Sequence, residues 1–385
     1  FPNEKQNSAQ MSVEAFAAAN PEVIFVLEYG TPFDKMREFL RTTFPNVSAV
    51  QNDRIVLVDA GTFPPGYRNV EAVEDFARGL HPEAFASAGA TTYPLTIENC
   101  GRTLTFDKAP ARVVSLWQPQ NEILLALGLQ DHIAAFAGNY DELPTDLAPR
   151  AANIKILGAG MDWPSKEVLL GEKPDLVVSE GLSGFAFDAA MGRATVEELD
   201  AAGIPVVSAG GNCNPLDPAS STKSFSTVYN DIAMFGRIFG VPDRAAALVQ
   251  AMQAKEQAVL ARIQGLPPVK VAFYNGGEGP LNVLTSGIWE EAMTKAGGQD
   301  VLPPNIYQIS VEEFAAAQPD VILVGTYPGQ DAATLIAFLK QTFPNIPAVK
   351  NNRLAPIADI DTEASVRIVN GFEQIAKALH PEAFE

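Results

Sequence analysis

Trp117, Tyr140, Trp163, Phe185 and Phe187 fall in loops that follow apolar runs in the middle of the chain, and Tyr274, Trp289 and Tyr327 recur nearer its end. Aromatic rings give a ligand large contact area at little entropic cost, and the tips of Tyr and Trp add hydrogen bonds. Asp361 and Arg367 follow the last apolar run, and Arg193 and Arg367 offer guanidinium groups suited to the acceptor oxygens of a ligand. Taken singly, each aromatic is explained equally well by packing. Their concentration in loops after strands points to a pocket. The chemistry of such a set is non-covalent capture.

Covalent and metal chemistry finds little footing. Gly181-Leu182-Ser183-Gly184-Phe185 lacks the second glycine of a nucleophile elbow at its proper place. No glycine pattern of a phosphate or dinucleotide site follows a strand, so an α/β hydrolase is the weaker alternative. Of the three histidines, His81 and His380 stand at helix ends and His132 precedes a strand, away from the expected cleft. Bare zinc or manganese capture calls for imidazole and carboxylate ligands, so no resident metal or cofactor is expected; haem held through tyrosine stays open. A formal net charge of -19 argues against nucleic acid and anionic lipid as partners. Acids such as Glu180, Glu278 and Glu363 outnumber arginines near the expected cleft, which suits a neutral or cationic ligand.

The elements that position these residues include a duplication. Ser12–Tyr29, SVEAFAAANPEVIFVLEY, returns as Ser310–Tyr327, SVEEFAAAQPDVILVGTY. FLRTTFPNVSAVQNDR from Phe39 returns as FLKQTFPNIPAVKNNR from Phe338, and both copies close with LHPEAF, at Leu80–Phe85 and Leu379–Phe384. Each copy reads as αβαβα, a piece of a doubly wound sheet. The copies diverge most after the last strand, Gly61–Gly66 against Ile360–Ser365, so the first copy is not expected to bind the same ligand.

Between the copies, strands and helices alternate from a hairpin around Asn99-Cys100-Gly101 to Val206–Ser208. A helix then runs from Pro242 to about Ile263 and stops before Pro267-Pro268. At about 1.5 Å per residue it is on the order of 30 Å long, enough to join two lobes. The expected fold is α/β: two Rossmann-like lobes joined by a long rigid α-helix, with an extra N-terminal αβαβα part-lobe duplicating the end of the C-terminal lobe. The expected divisions are 1–92 for the duplicated part-lobe and linker, 93–225 for the N-terminal ligand-binding lobe, 226–266 for the helical connection and 267–385 for the C-terminal lobe. Ligands on such sheets meet the carboxyl ends of the strands. No run of eighteen apolar residues occurs. The two cysteines, Cys100 and Cys213, are by spacing alone either one disulfide or two free thiols.

The run TIENCGRTLTFDKAPARVVSLWQPQNEILLALGLQDHIAAFAG resembles the opening of periplasmic binding proteins that serve ABC importers for iron-siderophores, haem and cobalamin. KPDLVVSE, LDAAGIPVV, IFGVPDRA, WEEAMTKAGGQDVL and ISVEEFAAAQPDVILV follow in the family's order, so the resemblance covers Tyr93–Glu385. It implies a receptor and not an enzyme, extracytoplasmic, either periplasmic or lipid-anchored on the outer face of the cell membrane. It does not by itself identify the ligand; together with the absence of histidines at the expected cleft it points to a ferric siderophore, with haem or cobalamin as alternatives, and the residue balance prefers the hydroxamate type. It implies permease docking through one rim glutamate per lobe, Glu122 and Glu291, with Glu290 as rival. It also implies a Cys100–Cys213 disulfide. Residues 11–85 are then read as the tail of an upstream tandem repeat, or else as the element of a swapped dimer or a permuted lobe.

Overall fold

The computed structural model describes residues 11–27, 33–52, 54–58, 76–77, 80, 91–158, 160, 162–214 and 222–385. His81, the loop 61–66 and most of the 86–92 linker lie outside the described residues. The chain divides into two compact units, Phe1–Ala90 and Thr91–Glu385.

In the first unit, Ser12 caps helix α1 (Val13–Ala19) by accepting from the Ala15 amide. Strand β1 (Ile24–Leu27), helices α2 (Phe33–Thr43) and α3 (Ser48–Gln51), and strand β2 (Ile55–Val58) follow. The strands run parallel, with Ile24 opposite Ile55 and Leu27 opposite Val58. Ile24, Val26, Phe44, Val47, Ala49 and Ile55 form a small core.

The second unit opens with an antiparallel hairpin, β3 (Leu95–Asn99) and β4 (Arg102–Phe106). A disulfide joins Cys100 at its turn to Cys213, with Cα atoms 5.5 Å apart. The first lobe is a parallel sheet of β5 (Val113–Ser115), β6 (Ile133–Phe136), β7 (Lys155–Ile156), β8 (Leu176–Ser179) and β9 (Val206–Ser208), in the order β7-β6-β5-β8-β9. Strands β5, β8 and β9 are short, apolar and buried on both faces, the signature of a sheet covered by helices. Helix α4 (Gln118–Ala126) follows β5. It starts at Gln118, because Pro119 fits a first helical turn.

Helices α5 (Phe225–Ile238) and α6 (Pro242–Ile263) connect the lobes. They pack tightly: a Cβ at Gly236 would lie 2.4 Å from the Ala245 Cβ. The second lobe holds β10 (Val269–Tyr274), the short antiparallel pair β11 (Leu281–Asn282) and β13 (Gln308–Ile309), helix α7 (Gly287–Lys295), β12 (Gly298–Asp300), α8 (Val311–Ala317), β14 (Val321–Thr326), α9 (Ala332–Thr342), α10 (Pro347–Lys350), β15 (Leu354–Ala358) and α11 (Ile368–Leu379). Its main sheet has the order β12-β10-β14-β15. One core cluster runs from Val113 and Phe136 of the first lobe through Phe235, Met252 and Val259 to Val271 and Phe372 of the second. The two lobes therefore share a core and do not hang on a loose linker.

Candidate functional site

Each sheet reverses its winding at one place, and the chain leaving the strands there opens a crevice. In the first lobe that place lies between β5 and β8. Leu116 and Trp117 leave β5, Ser179 and Glu180 end β8, and all four line a cavity of about 190 Å³. In the second lobe the reversal lies between β10 and β14. Asn275 and Tyr327 leave those strands and line a second pocket of about 500 Å³ with Asn282, Tyr307 and Gln308.

Aromatic rings wall the first cavity. Trp117 stacks on Trp163 with centroids 5.6 Å apart at 18°, Tyr140 lies 5.0 Å from Trp117, and Phe185 lies 5.7 Å from Trp163. The wall is fixed from behind. Trp163 Nε1 donates to the Leu116 carbonyl at 2.7 Å, and the Arg193 guanidinium lies 5.2 Å over the Trp163 ring while donating to the Phe185 carbonyl. Gly138 allows the chain to pass close: a Cβ there would stand 2.5 Å from the Leu116 carbonyl oxygen.

Charged side chains cross between the lobes. Lys223, entering α5, reaches Glu180 of the first lobe at 2.7 Å and Glu363 of the second at 3.2 Å, above the Trp289 ring at 5.5 Å. Burial opposes the ammonium's charge, but the two carboxylates outweigh it and hold its pKa above the ordinary value. Burial, with Glu180 adding to it, raises the Glu363 carboxyl against the pull of Lys223. Burial and Glu363 also push Asp359 up to about 7, while Lys223 and a hydrogen bond from Asn275 oppose them. A second bridge joins Glu122 to Arg367 through two hydrogen bonds of 2.8 and 2.7 Å. Gln118 donates to Glu122 at 2.9 Å, and Arg367 also donates to the Glu142 carbonyl. Burial, with Glu180 adding to it, pushes Asp231 up to about 7, though it accepts from the Gly210 amide at 2.7 Å.

Buried polar atoms usually find partners. Here several in and around these pockets have none within the described protein: Trp117 Nε1, both amide atoms of Gln120, Tyr140 OH, Asn212 Oδ1, Asn275 Oδ1 and Trp289 Nε1. They are groups a ligand's donors and acceptors would satisfy.

The structure brings Trp117, Tyr140, Trp163 and Phe185 together on one wall and sets Trp289 beneath Lys223. Tyr327 lies apart in the second pocket. Arg193 braces the wall from behind. Asp361 lies 3.5 Å from Arg367 and accepts from Gln374, so both belong to the interlobe bridge.

Three expectations are corrected. Tyr274 ends β10 on the face that packs on Phe314 and Phe338, with its hydroxyl donating to the Gly277 carbonyl at 2.8 Å, so it is core and not cleft. Phe187 is buried among Leu169, Val177 and Leu199. Glu122 does not project from a rim: it sits in the second turn of α4 with no exposed surface, bound to Arg367. Glu291 is partly exposed but engaged, accepting from the Phe225 amide at 2.9 Å and pairing with Lys295 at 3.1 Å, whereas Glu290 is exposed. Sequence reasoning missed Lys223, Asn212, Asn275 and Gln120. The one available signal was their position just beyond strands or at the start of a helix.

Residues 113–359 match the family model described as periplasmic binding protein. An uncharacterized ABC transporter substrate-binding lipoprotein of Bacillus subtilis is 26% identical over 302 residues, 76% of this chain and 88% of the relative. The crystal structure of an ABC-type Fe3+-hydroxamate transport system from Saccharomonospora viridis matches with a TM-score of 0.62 at 26% identity, covering 76% of this chain and 99% of the other. A periplasmic binding protein from Veillonella parvula matches with a TM-score of 0.66 at 22% identity, covering 74% and 97%.

Proposed function

The chain belongs to the periplasmic binding protein family, and from that premise we propose that its cleft captures a ferric siderophore of the hydroxamate type for delivery to an ABC permease. The protein is an extracytoplasmic binding component of an ABC importer. The reading of its ligand rests on one observation: the cleft combines stacked aromatics and unpartnered neutral polar atoms with a surplus of carboxylates over cations. A wrapped hydroxamate chelate carries its iron already ligated and asks for no metal ligand from the protein. It presents apolar surface to the Trp117–Trp163 wall, and its acceptor oxygens match donors such as Trp117 Nε1, Trp289 Nε1 and Tyr140 OH. An anionic catecholate or carboxylate complex would need cations that are not committed elsewhere. Lys223 faces two carboxylates, and Arg367 faces Glu122 and Asp361. The similarity to the Fe3+-hydroxamate system supports the same choice.

Tryptophan quenching and calorimetry against a ferric trihydroxamate, a ferric triscatecholate, haem and cobalamin test the reading. The trihydroxamate is expected to bind at least tenfold tighter than the others, with quenching lost in Trp117→Phe/Trp163→Phe. Tighter binding of haem, cobalamin or the catecholate would sink it. Permease docking passes to Glu290, the exposed member of its pair. Glu290→Ala is expected to leave ligand affinity unchanged and lower permease-dependent uptake.

A further inference from the structure

We propose that Glu180 and Glu363 form an ammonium subsite that the side chain of Lys223 fills from within the protein, and that a cargo carrying its own primary ammonium takes the place of Lys223. For the cargo this rests on the reading of the cleft as a hydroxamate-chelate site; the subsite itself does not depend on that reading. The chain shows what the subsite binds. Lys223 Nζ lies 2.7 Å from Glu180 Oε1 and 3.2 Å from Glu363 Oε2, with the centre of the Trp289 ring 5.5 Å away. Two carboxylates and the face of an indole are surroundings that select an alkylammonium. Glu180 follows β8 of the first lobe and Glu363 follows β15 of the second, so the subsite is assembled from both lobes. The three side chains are well shielded, with Lys223 10%, Glu180 14% and Glu363 11% exposed.

The internal occupant is placed where a ligand can replace it. Lys223, Glu180 and Glu363 all line the aromatic cavity, so an ammonium arriving with a ligand meets the same two carboxylates from the cavity side. That cavity holds about 190 Å³, less than the about 300–1,000 Å³ of ordinary ligand pockets. A chelate must therefore claim further room. Among the groups lining the cavity, lysine is the one built to yield it, a point charge on a flexible unbranched stem. Charge decides which cargo gains from the exchange. One ammonium replacing another leaves both shielded carboxylates compensated. A neutral ligand of the same shape that pushed Lys223 aside would leave them without a cation, which is costly away from water. The subsite thus favours a chelate with an ammonium tail over its neutral counterpart.

Lys223→Ala removes Cγ, Cδ, Cε and Nζ, the atoms of n-propylammonium. Titrating n-propylammonium chloride into that variant of the full chain is expected to raise its thermal midpoint by about 2–4 °C. Sodium chloride and n-propanol should not, the wild type should not respond, and Lys223→Ala/Glu363→Gln should lose the response. Where Lys223→Ala does not fold alone, its refolding yield with and without the amine gives the same readout. On the wild-type chain, a ferric trihydroxamate with a primary-ammonium tail is expected to bind at least tenfold tighter than its N-acetylated counterpart, a preference that Glu363→Gln should largely remove. No response of the alanine variant to n-propylammonium would overturn the subsite, and equal affinities for the two chelates would overturn the displacement. Binding of neither chelate beside a clear n-propylammonium response would sink the hydroxamate reading and leave the subsite standing.

Discussion

Two ion bridges cross the cleft, and they differ in what lies beside them. Glu122 and Arg367 meet through two hydrogen bonds, with Gln118 holding the carboxylate from the side, Asp361 3.5 Å from the guanidinium and no solvent at Glu122. Lys223 faces two carboxylates, lines the aromatic cavity, and has Asp359 near by with its carboxyl raised. The first bridge is satisfied by the protein itself and has nothing left for a ligand to answer. The second keeps a surplus of negative charge beside a ligand-sized space. One bridge ties the lobes together; the other stands beside the proposed ligand space.

The largest effect should come from breaking the Glu122–Arg367 bridge. Arg367→Met leaves the buried Glu122 carboxylate without its counterpart and is expected to cost about 3–5 kcal/mol of unfolding free energy in urea titrations; Glu122→Gln is expected to cost less, because Asp361 still stands 3.5 Å from Arg367. The double variant should recover much of that loss, as a coupled pair must. If either single variant melts like the wild type, the bridge is not what holds this region.

The surplus at the other bridge should appear as pH dependence. Asp359 has its pKa raised to about 7, so it gains its charge as pH rises from about 6 to 8. Affinity for a cationic chelate is expected to rise several-fold over that range, and Asp359→Asn should flatten the profile. A flat wild-type profile would remove the surplus-charge argument. Stability should run the other way. An acid with a folded pKa of about 7, above its unfolded value, lets the native state hold its proton more tightly. Asp231 therefore costs stability as pH climbs through that range, and Asp231→Asn is expected to stabilise the protein at pH 8 but not at pH 4. The smallest effect belongs to Tyr140→Phe. Its hydroxyl has no partner among the described residues, so stability should hold while ligand affinity falls by about 0.5–1.5 kcal/mol, one hydrogen bond's worth.

Much of the architecture was legible in the sequence because alternating apolar runs and helix stops carry it. The β5-to-α6 order, the interlobe helix and the aromatic wall of Trp117, Trp163 and Phe185 all follow from that pattern. Tyr274 was misplaced for a physical reason. A strand buried on both faces has no polar alternation, so its sequence does not tell which face the last residue takes. Glu122 was misplaced because Gln118-Pro119 opens the helix a turn earlier than its apolar residues suggest. Lys223 was missed because it sits in a small, polar stretch whose pairing with Glu180 and Glu363 exists only once both lobes are folded.

The helix α6 sets how far such a receptor can open. Its 22 residues span about 33 Å without a break and share a core with both lobes. The lobes then behave as the jaws of a caliper on a stiff spine. A flex of about 5° over a 30 Å arm moves a jaw tip by roughly 2.6 Å. On the proposed function, the thickness of the cargo would be converted into an angle between the jaws, which a membrane partner touching both would gauge without contacting the cargo.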